Sequence, residues 1–183
     1  DDKVVGSFSP SSKMATGWIA EKLILGDFIS NPTVIARKEC FDNVGLFDES
    51  IFMPADWDMW LRMAEKYQAG YINEPLSGYR ITNGYTIAHL QSNLKEEIYV
   101  LEKTFKRGKI KISRNLKRKS YANMYYRIGK LYGAGGDIKK SHDFFQKAIK
   151  LDLGDIKIIV HFLLSMFWPG FLERDLKRRY HIS

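Results

Sequence analysis

FMPADWDMWLRMAEKY, Phe52 to Tyr67, carries two aspartates around a tryptophan at the front of an apolar-periodic run. Trp57, Trp60, Leu61 and Ala64 fall on one helical face. Asp56 is placed to cap the free amides of a first turn. Asp58 stands near the positive end of that helix and four residues before Arg62, the spacing of a helical ion pair. Alone, the stretch reads as a helix start. Its flanks decide whether it does more.

Upstream, WIAEKLILGDF has helical spacing and a stop at Gly26. In NPTVIARK, Pro32 breaks a helix and Thr33, Val34 and Ile35 favour a strand. ECFDNVGLFDES reads as a short helix ended by Gly45. Downstream, AGYIN and LSGYRIT read as two short strands split by Glu74-Pro75, and a helix is expected from about Ala88 to Phe105. The first stretch, 1–105, is therefore expected to be mixed α and β.

A basic segment marks a change of character. Thr104 to Ser120 holds eight Lys and Arg and no acid, and carries the whole net charge of +8. Such a segment suits an anionic membrane face or a solvated linker and helix face. No nucleic-acid motif accompanies it, so a nucleic-acid partner is not expected. The single cysteine, Cys40, allows no internal disulfide and fits a reducing compartment, and the four scattered histidines have no zinc-ligand spacing. No signal peptide is visible at the acidic, polar start, and no apolar run reaches the ~20 residues of a spanning helix. The expectation is a cytoplasmic protein, peripheral on the cytoplasmic membrane.

Beyond the basic segment, 106–183 reads as helix throughout. Ala122 to Leu153 resembles a tetratricopeptide repeat: Tyr125, Ile128, Gly129 and Tyr132 match the first helix, Gly136-Asp137 the turn, and Phe145, Ala148 and Leu151 the second helix. Ser141 stands where a small alanine is usual, and Leu153 where a proline is usual. One repeat cannot bury its own faces and must pack on a neighbour. The neighbour expected is DIKIIVHFLLSMFWPG, an apolar helix with a thin polar stripe of Lys157, His161 and Ser165. A helix so apolar is buried or lies in a membrane interface, and burial against the repeat is the expectation. FLERDLKRRYHIS adds a short helix with Arg174, Lys177, Arg178 and Arg179.

The order NPTVIARKECFDNVGLFDES, ADWDMWLRMA, YINEPLSGYR also resembles the C-terminal half of family 2 glycosyltransferases, inverting enzymes of the GT-A fold, over about Trp18 to Gly84. Val44 to Glu49 stand for the Val-Gly-Gly/Leu-Phe-Asp-Glu turn. Ala55 to Arg62 stand for the Glu-Asp-Trp/Tyr-Asp-x-Trp-x-Arg motif, and Glu74, Pro75, Leu76, Tyr79 and Arg80 for the following strand. The resemblance implies an α/β partial GT-A half-domain, the acceptor-binding half, joined to an all-α tail. It implies that Asp56 is the general base that takes the acceptor proton. Trp57, Asp58, Tyr79 and Arg80 are then the acceptor-side residues.

Three departures accompany this resemblance. Ala55 replaces the leading glutamate of the motif. Thr82 stands where a metal-associated histidine is common. No Asp-x-Asp motif precedes the matched region. The reading is a fragment whose nucleotide-sugar donor and divalent Mn or Mg ion are held mainly by a half that is not here. The acceptor would be a glycan or lipid-linked molecule, no metal ligands are expected in this chain, and self-association as a homodimer would cover apolar surface. The alternative is a non-catalytic remnant that binds a partner through its helices.

Overall fold

The computed structural model describes residues 16–78, 93–168 and 170–180, with side chains up to 176 in the last stretch. Tyr79, Arg80 and Thr82 lie outside the described residues. Eight α-helices and one 3₁₀ turn are found among those described. α1 is Ala20–Ile24, α2 Lys38–Val44, α3 Ala55–Ala64 and α4 Leu94–Arg107. α5 is Arg114–Ala134, α6 Ile138–Leu151, α7 Ile156–Phe167 and α8 Gly170–Tyr180.

The expected α/β half-domain is therefore corrected: the described chain is all-α. Its β structure is one isolated antiparallel bridge between Gly17 and Ala69, with N···O distances of 2.8 and 2.9 Å. A GT-A half needs a sheet, so the family assignment falls with it. The local reason is visible at Asn31–Thr33. Pro32 has no N–H to give a ladder, and the Thr33 amide and hydroxyl both donate to the Ser30 carbonyl, closing a 3₁₀ turn. The β-branched residues that follow meet no second strand, and Ile35 is left 95% exposed. β propensity is the fit to a neighbouring strand, and none is found among the described residues.

α3 is the organiser of the first part. Trp57, Met59, Trp60 and Leu61 are buried, packed with Leu23 and Ile24 of α1 and Val100 and Leu101 of α4. The Trp57 indole N–H donates to the Leu23 carbonyl at 2.9 Å, fixing α1 on α3. Asp58, between Trp57 and Met59, is fully buried as well. It meets Arg62 at 2.8 Å, Lys103 at 3.1 Å and Arg107 at 3.2 Å. Arg62 in turn donates to the carbonyls of Val44 at 2.7 Å and Leu46 at 2.9 Å. Those carbonyls converge because Gly45 has φ +85°, a conformation that favours glycine. The sequence Val44-Gly45-Leu46 and the Asp58–Arg62 pair are thus one clamp, closed by α4.

Three of the eight basic side chains of the segment make contacts within the fold, and the others are exposed. Arg107 pairs with Glu65 and Asp58, Gly108 ends α4 in a left-handed conformation, and the Ser113 hydroxyl caps α5 by accepting from the Leu116 amide at 3.0 Å. Lys117 lies over the Phe105 ring. Arg118 donates to the Leu151 carbonyl at 2.9 Å.

α5 and α6 form an antiparallel hairpin through Gly136, at φ +85°. Close approach is set by Gly129, whose added Cβ would lie 3.2 Å from Phe145, and by Gly133, whose added Cβ would overlap Leu172 and crowd Ser141. Tyr132 stacks on Phe144 with an interplanar angle of 2°. Buried Lys130 reaches across to Asp175 of α8. No described helix is long and apolar enough to cross a membrane.

Candidate functional site

Asp56 lies in the first turn of α3, one residue inside a helix that begins at Ala55. Its Oδ1 accepts from the Trp57 amide at 2.8 Å. The loop before it is pinned from α4, where the Glu96 carboxylate accepts from the amides of Phe52 at 3.1 Å and Met53 at 2.9 Å. The carboxylate therefore stands at a helix start whose leading loop is tied to α4.

Its environment differs from the sequence expectation in one respect. The helix end and its amides favour the ionised form, yet partial burial outweighs them and raises the Asp56 pKa above the usual carboxylate range. Asp27 is a neighbour. Loss of hydration raises it to about 6, against the pull of the Ile29 amide, and the Asp56 charge adds to the rise. The Asp27 residue keeps solvent contact, so water reaches this side of the cluster. Glu97 completes it. Burial raises its pKa, opposed by Arg127, which donates to Oε1 at 2.8 Å. The other Glu97 oxygen is buried without a hydrogen-bond partner. Three carboxylates from three separate elements thus share one region, with one arginine to balance them.

The other residues taken as acceptor-side are placed differently. Trp57 is buried in the α1–α3 seam, and Asp58 is inside the three-cation network, so neither presents a surface to a sugar. The aromatic that is open to solvent beside Asp56 in the chain is Phe52, 84% exposed. Asp27, Glu97 and Phe52 carry no sequence signature. The one available hint was the Gly26-Asp27 stop after α1, where a turn aspartate is ordinary.

Among the described residues no group of three His, Cys, Asp or Glu side chains is placed to hold a metal ion, so no chemical step is assigned to one. Two surface concavities are lined by other residues. One, of about 300 Å³, lies among Glu102, Phe105, Lys117 and Tyr121, and one of about 480 Å³ among Gly133, Ile138 and Glu173. No family model, characterised protein or solved structure matches this chain.

Proposed function

We propose that this chain supplies the acceptor-side base of a sugar transfer, with Asp56 as the base. The observation that carries the reading is a half-buried carboxylate, raised in pKa, on a pinned helix start beside a second carboxylate at about 6. A base works best when its pKa approaches the working pH, because it is then both ionised and basic enough. An acceptor hydroxyl attacks the anomeric carbon of a nucleotide sugar. The bond from that carbon to the diphosphate breaks, and the nucleotide leaves with the electron pair. Asp56 takes the hydroxyl proton, and the anomeric centre inverts. Phe52, four residues before Asp56, carries an exposed ring of the kind on which a sugar face would pack. The donor, and the divalent Mn or Mg ion that goes with its diphosphate, belong in this reading to protein beyond these residues. The reading rests on the carboxylate and not on a GT-A fold.

The test is transfer from a panel of nucleotide sugars with Mn²⁺ or Mg²⁺ by protein that carries this chain, wild type against Asp56→Asn. Loss of about 100-fold or more in kcat with folding kept is expected. The 183 residues alone should not turn over. Full activity in Asp56→Asn overturns the assignment. An absence of turnover with every donor favours instead a non-catalytic module that works through its helices.

A further inference from the structure

α7 packs on the protein through buried Ile158 and Ser165, with half-buried His161 and Phe162 beside them, while Lys157 stays exposed at the edge of that face. Lys157 lies over the Tyr126 ring at 4.7 Å, His161 meets the same ring edge-on at 5.3 Å, and Ser165 is 1% exposed, donating to the Phe162 carbonyl. Its outward stripe is Ile156, Val160, Leu163 and Phe167, the i, i+4, i+7, i+11 positions of one helical face. Ile156 is 73% and Phe167 83% exposed, Met166 flanks them, and exposed Leu153 extends the stripe before the helix. No charged residue occurs between Ile158 and Phe167. A continuous apolar face of this kind marks a surface that meets something other than water.

We propose that this face docks on an anionic lipid surface, with α7 lying in the interface plane and α8 alongside it. Three observations select that occupant. At 12 residues α7 is about 18 Å long, which suits lying in a headgroup layer and not crossing it. The apolar stripe ends at exposed Trp168, an aromatic type favoured at the water–lipid boundary, with the Arg174 guanidinium 5.3 Å over its ring. The sequence of α8 then runs on through Lys177, Arg178 and Arg179. Anionic headgroups neutralise such a cluster, whereas a second copy of this chain would bring a like-charged one. The docking is independent of the sugar-transfer reading, because none of its residues belongs to the Asp56 region.

The experiment is co-sedimentation of the chain with vesicles of phosphatidylcholine, with and without about a third phosphatidylglycerol, at about 0.15 M salt. Binding to the anionic vesicles is expected, weakened by added salt, with a blue shift of tryptophan emission that Trp168→Phe removes. The double substitution Leu163→Glu, Phe167→Glu should weaken partitioning at least ~10-fold with helicity unchanged, since both sites point to solvent. Ile156→Asp is the second variant. An acid in a first turn is favoured by the helix dipole, so the fold is kept while the face is broken. No binding to anionic vesicles overturns the proposal, as does binding that both variants leave intact. A dimer in light scattering that the variants dissociate, without vesicle binding, also overturns it and assigns the face to a second copy.

Discussion

Asp58→Asn tests whether the aspartates of the ADWD stretch divide their work as the structure places them. The substitution keeps the shape of the side chain and removes its charge. Asp58 is fully buried and faces Arg62, Lys103 and Arg107 at 2.8, 3.1 and 3.2 Å. Removing one side of a buried ion pair costs about 3–5 kcal/mol, mostly because the other charge is left uncompensated. Each cation here keeps a further partner. Arg62 has the carbonyls of Val44 and Leu46, Lys103 has Asp48 at 2.6 Å, and Arg107 has Glu65 at 2.9 Å. The expected loss therefore lies at the lower end, about 3 kcal/mol. Urea unfolding measures it. Hydrogen exchange adds a local readout, because the Arg62 clamp loosens and protection at Gly45 and near it should fall first. A loss below about 1 kcal/mol, or unchanged exchange at the α2–α3 turn, refutes the view that Asp58 holds this part of the fold together.

Two further expectations follow from other contacts. Asp27 binds its proton more tightly in the folded chain, at about 6 against 3.8, so between those values the folded state holds more protons than the unfolded one. Stability should fall as pH rises through about 4 to 6 and then level off; full burial would make this roughly 3 kcal/mol, and the solvent contact of Asp27 reduces it to about 1 kcal/mol. Asp27→Asn should flatten that part of the pH–stability curve, and an unchanged slope in the variant refutes the assignment. Gly133→Ala places a Cβ onto Leu172 and 2.8 Å from the Ser141 hydroxyl. Overpacking of this kind costs about 1–3 kcal/mol and outweighs the ~1 kcal/mol that alanine gains as a helix former, so thermal unfolding should show a lower Tm.

The helices were legible in the sequence because apolar periodicity is local. The cap expected at Asp56 is not made, since α3 starts at Ala55 after Pro54 with no side-chain cap, whereas Asp155, Asp137 and Ser113, which the sequence reading did not single out as caps, each accept from a first-turn amide. The strands failed because a strand is a relation between two segments. Thr33, Val34 and Ile35 have the right side chains, but the Ser30 carbonyl captures Thr33 and no described segment pairs with them as a strand. The surroundings of Asp56 were out of reach of the sequence for the same reason. Asp56 could be singled out from its motif, whereas Asp27 and Glu97 reach it only through the docking of α1 and α4 on α3. Trp57 carries its motif position into the core, since its ring fills the α1–α3 seam.

α7 shows most sharply where a one-dimensional reading stops. The stripe of Lys157, His161 and Ser165 was plain from spacing alone, and convention turns such a stripe toward water. Periodicity fixes that a helix has two faces, not which face packs. The choice is made by what α5 and α6 offer. The electron-rich face of Tyr126 attracts the Lys157 ammonium, and its ring takes the His161 edge. His161 is partly desolvated there, which lowers its pKa, and its Nδ1 sits 2.9 Å from the Lys157 carbonyl. Ser165 is buried and His161 half-buried, each with a hydrogen-bond partner, which costs little, while the apolar stripe left outside costs free energy in water for as long as it stays uncovered. The proposed lipid surface would supply that cover from outside the chain. That is the physical ground on which the lipid-docking experiment stands.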